Sequence, residues 1–515
     1  MVARAGSGVR PVDVLVAGAG PTGLATALQA HAHGASVRVV ERRPEATWPS
    51  RAMVVHPRTM ENLRLLGVTD ALMKRADTTP TAELHLGRSV VPVTMQDFDM
   101  PDTAFPPLTM VRQMDVEDVL AEALEDRGVP VGRGVELVDV THDGDAVLRR
   151  EGGVERVPCR FVAGCDGQGS TVRSLAGIGW RGAPYSEEVV LADVELDGDL
   201  DPGVLHAVPG RDGLVFVFAL GEGASWRLLA TRPRTDDDLA FGQPGPPVPL
   251  RHVQRLLRDA RLPASVSELR WSARVPLQHR LATAFRDGRL FLAGDAAHAH
   301  SPAGAQGMNT GIQDGVNLGW KLAYAARGSL DGPLLASYEL ERRPAARVVL
   351  AMTHLIFFAE ASRHPVARLL RGTLVPLGAP AVPLLLGRRR LVAAGMRTLG
   401  QMRMGYRRSP LSLDGYPKGH GPRPGDRLPD EPVDCGGTTG RLHELTARPG
   451  VHVLLSRDAD ELDPGVVGSR VTVHRLTSRP GTDLLAVRPD GVVGFRCGTA
   501  EPGQLARWLD LVGAR

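Results

Sequence analysis

Four glycines stand one helical turn apart, at Gly307, Gly311, Gly315 and Gly319, within the stretch that runs from Gly288 to Ala323. Each costs a helix about 1 kcal/mol relative to Ala, and the i, i+4 spacing puts all four on one face. A helix face without side chains admits the close approach of another backbone or of a flat ligand. Ahead of this helix the apolar run Leu290 to Ala293 reads as a strand ending at Gly294-Asp295, and Pro302 and Gly304 mark the connecting loop. A strand-end carboxylate beside a helix N-terminus offers an acceptor for sugar hydroxyls and N–H groups for an anion. That pairing suits a large polar cofactor.

An earlier motif narrows the cofactor. Val12 to Ala17 reads as a buried parallel strand, followed by Gly18-Ala-Gly20-Pro-Thr22-Gly23. Leu24 to His33 then reads as a helix stopped by Gly34, and Val37 to Val40 as a strand ending at Glu41. Gly18 makes the turn, Gly20 lets the backbone approach a pyrophosphate, and Gly23 lets helix and strand pack closely. Glu41, 18 positions beyond Gly23, stands where a carboxylate can accept both hydroxyls of an adenosine ribose. On these residues alone the site suits NAD(P) and FAD equally.

The rest of the chain sorts by periodicity. Helices are expected at 58–66 and 115–127, with an irregular Pro-rich region around 80–110 between them. Strands are expected at 135–139, 145–149 and 160–164. From about 176 to 285 the pattern alternates, as in an antiparallel sheet inserted between two parts of the nucleotide-binding domain. A helix at 304–326 leads to a mainly helical region, 333–407. The Pro-rich stretch 406–434 reads as a linker. Four alternating strands between 451 and 496 and a closing helix at 501–511 make a small α/β domain. The expected division is 1–175, 176–285, 286–408 and 409–515.

The 515 residues carry a net charge of +3, and only Lys74, Lys321 and Lys418 are lysines. Arginines are interspersed with acids, so no nucleic-acid partner is expected. The four cysteines form no CxxC pair, as in a reduced, cytoplasmic protein. The longest uncharged stretch, Gly372 to Gly387, contains three prolines and falls short of the roughly 18–20 residues a bilayer requires; no membrane segment is expected. His298 and His300 lack a surrounding set of thiols or carboxylates at metal spacing, so no metal is expected there. Cys159 and Cys165 read as buried apolar residues, and Asp314 and Asn317 as solvent-facing helix positions.

Two further motifs decide for a flavin. Cys165-Asp166-Gly167-Gln-Gly-Ser170-Thr-Val-Arg173 and Gly294-Asp295-Ala-Ala-His298, together with GAGPTG and Glu41-Arg42-Arg43, resemble the aromatic-hydroxylase family of flavoprotein monooxygenases (class A, para-hydroxybenzoate hydroxylase type). The resemblance covers about 1–400 in order and spacing. It implies an α/β fold: a Rossmann-like FAD-binding domain, an inserted antiparallel β-sheet substrate domain, a helical segment, and a thioredoxin-like C-terminal domain. It implies FAD as cofactor, NADPH as transient cosubstrate and O2. Asp295 would bind the ribityl chain, Gln113 the flavin chain and Arg42 the adenosine end. Arg51 would stand beside the cofactor. Pro302 to Asn309, including Gly307 and Met308, would border the flavin pyrimidine edge, with Arg51 and Pro302 shaping the flavin environment for catalysis. Asp166 would hold cofactor regions and assist the nicotinamide partner, and Arg173 would support that loop. The C-terminal domain, lacking CxxC, would be structural.

The activity implied is hydroxylation of an aromatic ring through a flavin C4a-hydroperoxide. The small-residue motifs, helical tail and C-terminal domain most resemble members that tailor polycyclic aromatic polyketides, so a phenol or quinone of that type is the expected substrate, and a homodimer is among the assemblies allowed. Baeyer–Villiger oxygen insertion, and a flavin reductase or dehydrogenase without oxygenation, stay open at this point.

Overall fold

The computed structural model describes all residues except 1–10, 46–52, 79, 96–97, 142–143, 211–212, 223, 235–238, 240, 242–244, 328–331, 464 and 466. Its first sheet is built on five parallel strands in the order β17-β10-β1-β2-β7: β1 (Val12–Ala17), β2 (Val37–Glu41), β7 (Val131–Arg133), β10 (Gly153–Gly164) and β17 (Leu290–Leu292). The short β16 (Arg286–Asp287) pairs antiparallel with β17. A hairpin, β8 (Glu136–Val140) and β9 (Asp145–Arg150), continues onto the first half of β10. Val14, Leu15, Val16, Phe161, Val162, Phe291 and Leu292 are fully buried, as the apolar runs require of strands covered on both faces.

The glycine stripe serves helix packing. Helix α7 (Gln306–Ala325) lies against α1 (Pro21–Ala32). A Cβ built at Gly315 would stand 2.7 Å from the Thr22 carbonyl oxygen, and one at Gly319 2.6 Å from that of Thr26. The Thr22 side chain fills the space above Gly294 and Gly311. Thus the close approach read from the sequence is made by another backbone at Gly315 and Gly319, and by the Thr22 side chain at Gly311. Gly307, at the first turn, is different, since among the described residues a Cβ there meets only His300 Cε1 at 3.8 Å.

The middle sheet has eight strands in the order β18-β15-β11-β14-β13-β12-β4-β5. They are β4 (Thr81–Leu86), β5 (Ser89–Thr94), β11 (Trp180–Gly198), β12 (Val204–Gly210), β13 (Gly213–Glu222), β14 (Ala224–Pro233), β15 (Ala264–Ala282) and β18 (His298–Ala299). Two features correct the sequence reading. The region 80–110 is not irregular throughout: it supplies the β4–β5 hairpin, whose β4 pairs parallel with β12. The expected all-β region also contains a helix, α6 (Leu250–Ala260). Val253 and Leu257 of α6 pack on Val190, Val217 and Leu228, covering one face of the sheet. Smaller elements complete this part: the β3 (Val54–Val55) and β6 (Thr109–Met110) pair, and helices α2 (Pro57–Leu65), α3 (Thr69–Met73), α4 (Gln113–Glu125) and α5 (Thr171–Leu175).

After α7 comes α8 (Pro333–Ala361), then a helical run from Pro365 to Leu386 and a helix at Arg389–Leu399. Against the expectation of no membrane-length segment, Pro333–Ala361 and Pro365–Leu386 are both long and apolar enough to span a bilayer by length and composition. Helix α8, however, carries Glu341 and Arg342 into the core.

The C-terminal sheet is centred on strand Val451–Ser456, parallel to Val471–Leu476 and antiparallel to Leu484–Val487, which pairs antiparallel with Val493–Cys497. Leu505, Trp508 and Leu509 of the closing helix, Pro502–Val512, are buried. A buried ionic network joins this sheet to α7 and α8. Glu341 accepts from Arg488 (2.7 and 2.8 Å), Lys321 (2.7 Å), Asn317 (2.8 Å) and Ser409 (2.5 Å), and Arg488 also donates to Asp490. The stretch expected to be a free linker is therefore anchored at Ser409, and at Tyr406, whose hydroxyl accepts from Arg342.

Candidate functional site

Strand registry brings the three motifs together. Ala17 pairs with Gly164, and Gly164 with Leu292, so Gly18, Asp166 and Asp295 follow the carboxyl ends of three adjacent parallel strands. In open α/β sheets that edge is where ligands bind.

The turn at Gly18 and the close packing at Gly23 are as their positions suggested. Gly18 has φ +104° and sits against the Cys165 carbonyl, so closely that no Cβ fits. Gly23 packs on the Gly18 carbonyl. Gly20 alone faces open space, and as the N-cap of α1 it leaves that helix without a side-chain cap. The first-turn amides, Thr22 and Gly23 among them, therefore face a gap with the helix dipole behind them. The Thr22 side chain is enclosed between Gly294 and Gly311, leaving its amide as the group available to a ligand.

Glu41 is buried and already accepts from the amides of Ala19 (3.0 Å) and Arg43 (3.0 Å) and from Arg43 Nε (3.1 Å). Burial pushes its carboxyl up, but these donors outweigh it and hold the group below its ordinary value. A carboxylate has about four acceptor positions, so one is left, fewer than the two ribose hydroxyls expected of it would use. Arg42 beside it is exposed. Gln113 opens α4, and its Nε2 donates to Glu117 at 2.7 Å. Arg51 lies outside the described residues.

Asp166 and Asp295 differ sharply. Asp166 accepts from the Val172 amide at 3.1 Å at the start of α5, and burial pushes its carboxyl up. Arg173 donates to the carbonyls of Gln168 (2.8 Å), within the loop it is expected to support, and of Ala296 (3.0 Å), in the other motif loop. Asp295 is exposed between buried Gly294 and Ala296, with Gln168 Nε2 at 3.4 Å. Its carboxylate is available to a ligand.

Sequence reasoning missed the residue that organises this corner. Asp314, read as solvent-facing, is fully buried, and Asn317 is buried too. Asp314 accepts from the Gly294 amide (2.9 Å), His298 Nε2 (2.6 Å) and Arg342 Nε (2.6 Å). Burial alone would raise its carboxyl, but Arg342 and His298 outweigh that and hold it at about 2. The signal was present in the stripe itself: a helix laid flat on α1 along its glycine face buries the flanking positions as well. His298 is thus engaged by Asp314. Cys159 and Cys165 behave as apolar residues, their thiols pushed up to about 11 and 12 by burial.

The loop into α7 is held from below. Gly304 (φ +67°) and Ala305 (φ +53°) are left-handed. His56 Nε2 donates to the Gly304 carbonyl at 2.9 Å. Asn309 Oδ1 accepts from the His56 amide (2.8 Å), and its Nδ2 donates to the carbonyls of Val54 (2.9 Å) and Ala305 (2.7 Å). The Asn309 side chain is therefore a clamp on the loop, which leaves only its main chain for a ligand. Pro302 is exposed, Met308 buried, and among the described residues no side chain caps α7. The amides around Gly307 and Met308 thus open toward the same edge as those of α1.

Above Ala303 of this loop, the middle sheet and α8 form an aromatic wall. Tyr185 packs on His279 (ring centroids 4.9 Å apart) and Phe357 (4.6 Å), with its hydroxyl 3.3 Å from His354 Nδ1. His279 Nδ1 and His300 Nε2 are buried without a hydrogen-bond partner among the described residues. On another side, a cavity of about 240 Å3 opens between the middle sheet and β3, β6 and α4, lined by Met53, Arg112, Leu205, Phe218 and Leu220. It is smaller than the roughly 300–1,000 Å3 of small-molecule pockets.

Gly20's open side, two uncapped helix N-termini and exposed Asp295 on one edge fit a flavin dinucleotide. The sequence profile described as FAD binding domain matches residues 11–353. The chain is 38% identical to 6-methylpretetramide 4-monooxygenase of Streptomyces rimosus, over 69% of its length and 63% of that protein's. It is 32% identical to a flavin-dependent monooxygenase of Mycobacteroides abscessus, over 94% of this chain and 96% of that one. Among solved structures, the anhydrotetracycline hydroxylase OxyS of Streptomyces rimosus superposes with a TM-score of 0.78 at 28% identity, covering 98% of this chain and 99% of that one. CabE, an aromatic hydroxylase from angucycline biosynthesis, gives 0.77 at 27% identity, covering 98% and 100%. The chain belongs to the FAD-binding family of flavin-dependent aromatic monooxygenases.

Proposed function

We propose that this protein uses NADPH and O2 to hydroxylate a polycyclic aromatic phenol or quinone of the polyketide type. When bound, FAD supplies the electron transfer and the oxygen activation. The chain's residues bind and orient. The α1 amides beside Gly20 face the pyrophosphate, while Glu41 and Arg42 meet the adenosine end. Asp295 would take the ribityl hydroxyls, and Gln113 would bind along the chain of the cofactor. The α7 amides at Gly307 and Met308 stabilise negative charge at the pyrimidine edge, beside Pro302. Asp166 holds the turn through α5.

The observation that carries the substrate reading is the wall above Ala303. His279 Nδ1, in a ring packed on Tyr185 and His354, and His300 Nε2, in a ring beside the first turn of α7, are buried without hydrogen-bond partners among the described residues. Unpaired buried polar atoms are costly, and a flat ring system bearing hydroxyl or carbonyl groups would both stack on this wall and satisfy them. A solved relative, aklavinone-11 hydroxylase in ternary complex with FAD and aklavinone, superposes at TM-score 0.74 and 25% identity over 98% of this chain and 99% of that one. We assign the C-terminal sheet, with its parallel and antiparallel neighbours around Val451–Ser456, to a thioredoxin-like unit with a structural role, and the protein to the cytoplasm.

The test is oxygen uptake by the purified flavoprotein with NADPH, with and without polycyclic phenols. Stimulated uptake with a product one oxygen atom heavier and its rings intact supports the proposal. A lactone product would reassign it to Baeyer–Villiger insertion, and NADPH oxidation without substrate oxygenation to a reductase.

A further inference from the structure

A second cluster lies on the reverse face of the middle sheet. Glu83 and His85 are alternate residues of β4, so both side chains leave the same face. His206 of β12 stands in register with Glu83 across the parallel pairing, and in register with Val217 on its other side. Val217 belongs to the face that α6 covers, whereas the aromatic wall above Ala303 is built from the opposite face, through Val189 and Leu191.

Three potential ligand atoms converge there. His206 Nδ1 is 3.3 Å from Glu83 Oε2, His85 Nε2 is 3.6 Å from the same oxygen, and the two imidazole nitrogens are 3.3 Å apart. A tetrahedral zinc ion with bonds of about 2.0–2.1 Å holds its ligand atoms about 3.4 Å from one another. The cluster therefore has the dimensions of one face of such a tetrahedron. His206 is buried, His85 mostly so, and the Glu83 side chain is 36% exposed, which leaves an entry path and room for a water in the fourth position. The His206 ring is held at Nδ1 by His85 and Glu83 and packs on Trp226, while its Nε2 is buried without a hydrogen-bond partner among the described residues.

We propose that Glu83, His85 and His206 form a zinc site that fastens the β4–β5 hairpin to the middle sheet. Two imidazole nitrogens and one carboxylate oxygen suit zinc by ligand type. The hairpin is the outer edge of the sheet and pairs with β12 over only four residue pairs, Thr81 to Leu84. A metal bridging β4 and β12 adds a second connection at that seam. No sequence spacing announces the site, because His206 lies 121 residues beyond His85 and meets it only through the parallel pairing.

The experiment uses the full-length flavoprotein, free of any affinity tag and stripped of metal by a chelator. Zn2+ is titrated by calorimetry, and Co2+ by its visible absorption, which reports coordination geometry. The expected result is one Zn2+ per chain, a tetrahedral-type Co2+ spectrum, and a Tm raised by Zn2+. His206→Ala and Glu83→Gln should each weaken Zn2+ binding by more than about a hundredfold, beyond the loss from removing a supporting hydrogen bond, and abolish the rise in Tm. Unchanged FAD content would show each variant folded, and the half-buried Glu83 provides a variant that does not disturb the core. No stoichiometric uptake, or uptake of equal affinity in wild type and both variants, would overturn the proposal.

Discussion

Gly315→Ala isolates the close approach that shapes the cofactor domain. The new Cβ would lie 2.7 Å from the Thr22 carbonyl oxygen and 2.9 Å from Thr26 N and Oγ1. Two of these are backbone atoms of α1, so relief requires the helices to separate. Overpacking of this kind costs about 1–3 kcal/mol, while the better helix propensity of Ala returns about 1 kcal/mol. Gly395 supplies the control. It sits inside the Arg389–Leu399 helix with nothing within 4 Å of a built Cβ, so Gly395→Ala should stabilise by about 1 kcal/mol. The difference between the two variants is then the clash alone, about 1–3 kcal/mol. Urea unfolding followed by circular dichroism measures both, and flavin fluorescence in the same titration reports cofactor release. Because α1 presents its amides to the proposed pyrophosphate position, Gly315→Ala should also release FAD at lower urea. Equal and stabilising shifts for the two variants would refute the packing argument.

Other expectations follow from buried charge. Arg488→Met removes the cation shared by Glu341 and Asp490 in a fully buried network, and should cost about 3–5 kcal/mol. Arg407→Met, at an exposed pair with Asp426, should cost under about 1 kcal/mol; denaturation midpoints compare them. Burial pushes His56 down to about 4. The unfolded chain takes up this proton near pH 6.5 and the folded chain only near 4, so stability should be full above pH 6.5 and fall as pH drops through that window. Unfolding of wild type at pH 5 should take up about one proton more than unfolding of His56→Gln, as read from the pH dependence of the urea midpoint.

The sequence made the strand-end motifs legible because each rests on local pattern. Val12 to Ala17 and Leu290 to Leu292 are apolar runs that need no partner to be recognised, and the glycines of the first turn are explained by their own backbone geometry. The strands of the C-terminal sheet showed for the same reason. Distant pairings were hidden. The β4–β5 hairpin joins the middle sheet through β12, more than a hundred residues later, and its Pro-rich surroundings suggested a loop. Asp314 and Asn317 carry polar side chains whose burial depends on Arg342, Glu341 and Asp490, none of them near in sequence. The partnerless nitrogens of His279 and His300 are likewise a property of packing.

The central claim is that the edge formed by α1, α7 and Asp295 holds FAD, and the FAD affinity of Asp295→Ala tests it most directly. Asp295 is exposed and meets only Gln168 at 3.4 Å among the described hydrogen bonds, so the apoprotein should fold and melt as wild type does. Loss of hydrogen bonds to a charged acceptor, about 1.5–3 kcal/mol, should weaken FAD binding roughly ten- to a hundredfold and yield protein depleted of flavin. A variant that purifies fully yellow, with wild-type FAD affinity, would contradict the account.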